Sequence, residues 1–200
     1  MNEIKLSQDD FLRRVAAHKM TILQDCGVYR HIIFSRPDDG VYHFGLTTFP
    51  GHLVITGDCG CYVFRRLHDM FEFFRCNRLS INPWYWAEKM EAHSDDIRIY
   101  SAPKIKETLT NNFEVWLEDC DEEEKENARE EFREKILSHC DDEADFNLLG
   151  YIELECGYLI DPRELDAYDF DNGFLFCLYA IVWGIQQYDQ REATRKGVEK

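Results

Sequence analysis

At 200 residues, 44% hydrophobic and 14% aromatic, the chain holds enough apolar material for a sizeable core, which excludes the disordered class. Its longest nearly unbroken apolar run, Phe174–Ile185, spans 12 residues, short of the roughly 18 a membrane span needs. The net charge of −16 is lopsided: residues 1–100 carry 12 Lys/Arg against 13 Asp/Glu, whereas residues 101–200 carry 11 against 26.

Such an acidic second half repels nucleic acid and anionic membrane and attracts basic surfaces, including the nucleic-acid channels of other proteins. Direct nucleic-acid binding and membrane association are therefore not expected. The N-terminal MNEIKLSQDDFLRR lacks the apolar stretch of a signal peptide, so a cytoplasmic location is expected. Eight cysteines include no CxxC pair and one CxC, which fits reduced thiols that behave as small hydrophobes, with no metal site assigned.

In chain order, Ser7 and Asp10 form a capping-box pattern that opens a helix of about 7–19, with Phe11, Leu12, Val15 and Ala16 facing inward. Asp25-Cys26-Gly27 marks a turn before VYRHIIFSR, and Arg36-Pro37-Asp38-Asp39-Gly40 marks another before VYHFGLTTF. HLVITGD and CYVF follow, so four β-branched and aromatic segments joined by short turns predict an antiparallel meander. Leu67, Met70, Phe71 and Phe74 then recur at helical spacing. Asn82-Pro83 is a cap-plus-proline start that predicts a helix over WYWAEKMEA, where Trp84 and Trp86 serve either as core residues or as aromatic anchors for a partner.

The run FPGHLVITGDCGCYVFRRLHDMFEFFR, followed by INPWYWAEKMEA, resembles a group of accessory proteins of temperate phages and prophages of enteric bacteria. The resemblance covers roughly residues 20–95, rests on motif order rather than a catalytic signature, and brings no established activity. What it implies is genomic context, since phage-borne accessory proteins often act on host machinery, including defence systems.

After His93-Ser94-Asp95-Asp96 the composition changes. A helix is predicted over about 103–118, with Ile105, Leu109, Phe113, Trp116 and Leu117 buried. Between Glu118 and Asp145 there are 14 acids and 4 bases, yet DEEEKENAREEFREKILSHC is a good helix former with a narrow apolar stripe of Ala128, Phe132 and Ile136. Its carboxylates form either a solvated outer face or a surface that mimics a phosphate backbone for a Lys/Arg-lined groove. The candidate contact residues are Glu118, Asp119, Asp121, Glu122, Glu123, Glu126, Glu130 and Glu131, with Trp84 and Trp86 as aromatic anchors. Asp161-Pro162 predicts another helix start, and FLFCLYAIVWGIQQYDQ, apolar on nearly every side, reads as a central helix.

No phosphate-loop, GxSxG, HExxH or EF-hand pattern is found, and no cofactor is expected. His52, Asp58, Cys59, Cys61 and His68 are the one cluster with catalytic residue types, because a hairpin can bring a thiol, an imidazole and a carboxylate together. In the plainer reading Asp58 and Gly60 shape a turn, and no catalytic residue is assigned.

The expected fold is α+β, with an antiparallel sheet and flanking helices in 1–100 and an acidic helical part in 101–200 packed on it. The expected function is binding and inhibition of a host nucleic-acid-handling defence protein of the CRISPR or restriction type. A small enzyme using the 52–68 hairpin and a homodimer burying the Trp84–Trp86 aromatics are the alternatives.

Overall fold

The computed structural model describes residues 5–37, 39–93 and 96–198, with the backbone alone described at 122–124 and 196–198. Asp38 in the second predicted turn, together with Ser94 and Asp95, lies outside the described residues.

The fold is α+β. Helix α1 (Gln8–Val15) starts where Ser7 Oγ accepts from the Asp10 amide while the Asp10 carboxylate accepts from the Ser7 amide, the reciprocal cap the local pattern predicts. Strands β1 (Lys19–Cys26), β2 (Tyr29–Ser35), β3 (Phe44–Phe49), β4 (His52–Gly57), β5 (Gly60–Arg65) and β6 (Met90–His93) form one antiparallel sheet in sequence order. The expected meander, four-stranded or slightly larger, has six strands. TILQ belongs to β1, which folds back on β2 through the left-handed Gly27.

Three local readings are corrected. Val41 and Tyr42 precede β3 rather than joining it. Tyr42 sits at φ 60°, where His18 Nε2 meets its carbonyl oxygen at 2.9 Å and the Arg14 guanidinium covers its ring. Asp69 caps α2 (Met70–Phe74), so the helix starts after Leu67, which is left exposed. WYWAEKMEA is not one helix: α3 (Pro83–Ala87) is a short helix with Asn82 as its cap, and the chain then pairs with β5, Phe64 opposite Met90 and Val63 opposite Ala92. Sheet pairing overrides the weak helix preference there.

Beyond the sheet come β7 (Arg98–Tyr100), α4 (Ala102–Leu117), α5 (Glu122–Lys135) and α6 (Glu143–Leu148). β8 (Ile152–Glu153), β9 (Leu159–Ile160) and β10 (Tyr168–Phe170) follow, and α7 (Asn172–Val198) ends the chain. Asp161-Pro162 opens only one 3-10 turn.

The chain divides into two compact units, residues 98–169 and a sheet unit containing 5–97 and 170–198. α7 belongs with the sheet unit rather than with residues 98–169. Phe174, Phe176, Leu178, Ile181 and Ile185 of α7 are buried in the same cluster as Phe34, Phe44, Leu46, Ile55 and Phe64. Gly184 lets helix and sheet approach closely: a Cβ there would lie 2.8 Å from Leu46 Cδ1 and 3.1 Å from the Phe34 ring.

Candidate functional site

The acidic unit is built from its apolar stripe outward. Ile105, Leu109, Phe113 and Leu117 on α4 bury against Ala128, Phe132 and Ile136 on α5, with Phe113 and Phe132 stacked at 4.1 Å and Tyr158 edge-on to Phe113 at 5.0 Å. Because the α5 stripe is narrow, most of that helix faces solvent. Glu126, Glu130 and Glu134 recur at four-residue spacing, about 6 Å apart along the axis. All three are exposed, as are Glu118, Asp119 and Asp121. The side chains of Glu122 and Glu123 lie outside the described residues.

Residues 98–169 hold 22 Asp/Glu against 8 Lys/Arg, so this unit carries −14 of the −16. Part of that charge is used internally. Arg129 forms a two-pronged pair with Glu114 at 2.9 and 3.1 Å, tying α5 to α4, and this contact holds the Glu114 carboxyl below its ordinary range. Asp166 accepts from Lys104 and Arg98. Partial burial opposes its ionisation, but those two cations outweigh it and hold the carboxyl down at about 2.

Glu131 differs from its neighbours. Its carboxylate accepts the Glu155 amide at 2.9 and 3.1 Å and the Lys135 ammonium at 2.5 Å, so it staples the turn after β8 to α5. It is a structural ligand of the chain's own backbone rather than an outward contact residue. Beside it lies a cleft of about 600 Å³ lined by Glu130, Glu131, Glu134, Lys135 and Glu155, with Ala128 and Cys156 also on its wall. Carboxylates so close repel one another by about 0.2–0.5 kcal/mol per helical pair, and a cationic group is the chemistry that relieves them.

The aromatic candidates sit in the sheet unit. Trp84 is 58% exposed and edge-on to Phe170 at 4.8 Å. Trp86 is 8% exposed and packs edge-on against Phe74 at 4.9 Å, so its place is the core and not a contact patch. Tyr85, which lay outside the candidate set, is exposed beneath the Lys89 ammonium at 4.8 Å.

The hairpin cluster is pulled apart by its own ladder. His52 pairs with Arg65 at one end of β4–β5 and Gly57 with Gly60 at the other, so five strand steps put His52 roughly 17 Å from the Asp58–Cys59 turn. Asp58 meets His43 at 2.8 Å; His52 stacks on Phe49 and reaches Glu91 at 3.1 Å. Burial pushes the Cys59 thiol up to about 11, the reverse of what an activated nucleophile needs. Among the described residues, no group of three or more His, Cys, Asp or Glu side chains is placed to hold a metal ion.

One charged cluster was missed. Arg30, 8% exposed, donates to both oxygens of Asp69 at 2.9 Å and lies over the rings of Phe71 and Tyr188. Tyr188 in turn donates to Asp25 at 2.9 Å, so the group ties β1, β2, α2 and α7 together. Strand alternation carried the signal, since Arg30 shares parity with the core residues Ile32 and Phe34.

Comparison with protein-family models, with curated proteins and with solved structures finds no match to this chain. No helix among the described residues is long and apolar enough to cross a membrane.

Proposed function

We propose that this is a non-catalytic binding protein whose acidic unit caps the basic surface of a nucleic-acid-handling partner, the setting being phage-encoded inhibition of a host defence complex. The observation that supports this reading is the concentration of −14 in residues 98–169, arranged around a hydrophobic core of their own. The carboxylates of α5 are not needed to bury that core, and each like-charged neighbour costs stability. They gain value when a Lys/Arg-lined channel sits against them. Occlusion is then the mechanism: the acidic face occupies the channel that nucleic acid would enter, and charge steering speeds the encounter.

The test is affinity capture from a host lysate treated with nuclease, using the wild type and a Glu118→Lys/Glu126→Lys/Glu130→Lys variant. A nucleic-acid-binding protein should be retained by the wild type, and retention should weaken about tenfold between low and moderate salt. The variant should lose it with an unchanged circular dichroism spectrum. Undiminished capture by the variant would rule out the acidic-face mechanism.

A further inference from the structure

The six-stranded sheet has two faces, and only one of them is accounted for within its unit. Arg30, Ile32 and Phe34 of β2, Leu46 of β3 and Ile55 of β4 point to the side where α7 lies, and α1, α2 and α3 join the same side through Phe11, Asp69 and Trp86. The registers set the residues of the opposite face in rows. One row is Thr21, Ile33, Gly45, Thr56 and Cys61; the next is His31, Thr47, Val54, Val63 and Ala92.

Neither row contains an Asp, Glu, Lys or Arg, in a chain that is 31% charged. An antiparallel sheet covered on one side normally alternates apolar inward and polar outward. Here Ile33, Val54, Val63 and Ala92 occupy outward positions, as on the inner face of a two-sheet sandwich. Thr56, in the middle of the sheet, is exposed, and at the far edge Leu23, at the β1 bulge, is 62% exposed. Within the second row His31 Nδ1 meets Thr47 Oγ1 at 2.7 Å. At the rim, Arg65 and His52 are both neutralised by Glu91.

We propose that this face is a self-association surface, on which a second copy of the chain stacks sheet to sheet about a two-fold axis. The area suits it. Six strands about 4.8 Å apart and about 20 Å long present roughly 600 Å² per copy, or roughly 1,200 Å² buried in total, the lower bound for a stable protein–protein contact. The charge pattern selects the occupant. The two central rows offer no counter-ions to a basic or an acidic partner, whereas identical rows meet without like-charge cost, the condition for an isologous contact; the charges of this face stand at its two ends, Lys19 beside Ser35 and Arg65 beside His52. Only the net charge of −16 per chain opposes pairing, through long-range repulsion that salt screens. Salt therefore strengthens this contact while it weakens capture through the acidic unit, so the two proposals fail separately.

The experiment is sedimentation equilibrium on the full chain from about 1 to 100 µM at low and high salt, comparing wild type, Thr56→Ser and Thr56→Glu. Thr56 is exposed, so a carboxylate there leaves the monomer's core intact, and thermal melts check this. The expected result is a species of twice the 23.8 kDa chain mass, tighter at high salt, kept in Thr56→Ser and weakened at least about tenfold in Thr56→Glu. A 23.8 kDa species throughout would overturn the proposal. So would a dimer that Thr56→Glu leaves intact but Trp84→Ala weakens, or a monomer whose capture of a different protein is lost in Thr56→Glu.

Discussion

Around its core the acidic unit gathers 22 acids and 8 bases, whereas residues 1–97 and 170–200 together hold 17 acids and 15 bases. Both regions bury aromatic rings against aromatic rings, Phe113 on Phe132 in one and Phe34 on Phe44 in the other. What differs is the surface. The near-neutral sheet unit uses its ions as fasteners, Arg30 on Asp69 and Arg75 on Asp189, each through two nitrogen–oxygen contacts. The acidic unit uses some this way and carries a large unspent excess. Because that excess adds repulsion and no burial, stability does not explain it, which is the ground for the proposed binding to a cation-rich surface.

If each unit rests on its own core, the largest effect comes from emptying one of them. Phe132→Ala should destabilise residues 98–169 by about 3–5 kcal/mol, since it removes a stacked ring and leaves a cavity. Amide exchange should accelerate across α4 and α5 while β2–β5 keep their protection. Equal acceleration in both units would show that they unfold as one, and the comparison would fail.

Next in size is the fastener of the sheet unit. Asp69→Ala leaves the nearly buried Arg30 guanidinium without its carboxylate and removes the α2 cap, a loss of about 3 kcal/mol. Adding Arg30→Met should recover part of it, because an apolar chain then faces Phe71 and Tyr188. Chemical denaturation of the single and double variants measures both. A double variant no more stable than Asp69→Ala alone would argue that the cap, not the ion pair, matters at this position.

A smaller effect is expected at the helix–sheet crossing. Gly184→Ala drives a methyl into Leu46 and the Phe34 ring, and about 1–2 kcal/mol should be lost as these shift. A thermal midpoint equal to the wild type would mean that α7 does not ride on β2 and β3 as closely as its glycine indicates.

These sites also show what was readable from the chain. The Ser7–Asp10 box and the stripes Ile105–Leu109–Phe113–Leu117 and Ala128–Phe132–Ile136 were legible because their partners lie within a turn or two. Met90–His93 was not, since a strand of four residues is defined by β5 rather than by its own propensity. At the candidate site, composition located the acids but could not distinguish Glu131, whose partner is an amide 24 residues away. Trp86 looked like its neighbour Trp84 until Phe74 claimed it. The His52–Cys59 cluster misled for the opposite reason, because closeness in sequence becomes distance when a strand runs straight between the residues.

The smallest effect is a pH dependence confined to the sheet unit. His18 lies against Phe44 with Nε2 on the Tyr42 carbonyl and Nδ1 buried without a hydrogen bond. Burial lowers its pKa, and Arg36 and His43 push the same way. The Tyr42 carbonyl and Asp39 oppose them, without reversing the shift. A folded pKa below the ordinary 6.5 means that the unfolded chain takes the proton first. The stability His18 contributes is therefore complete above about pH 6.5 and is lost as pH falls through the folded value. His18→Gln retains a donor for Tyr42 but cannot titrate, so its urea midpoint should fall less than the wild type's between pH 7 and pH 5. Parallel decline in the two proteins would place the acid sensitivity elsewhere.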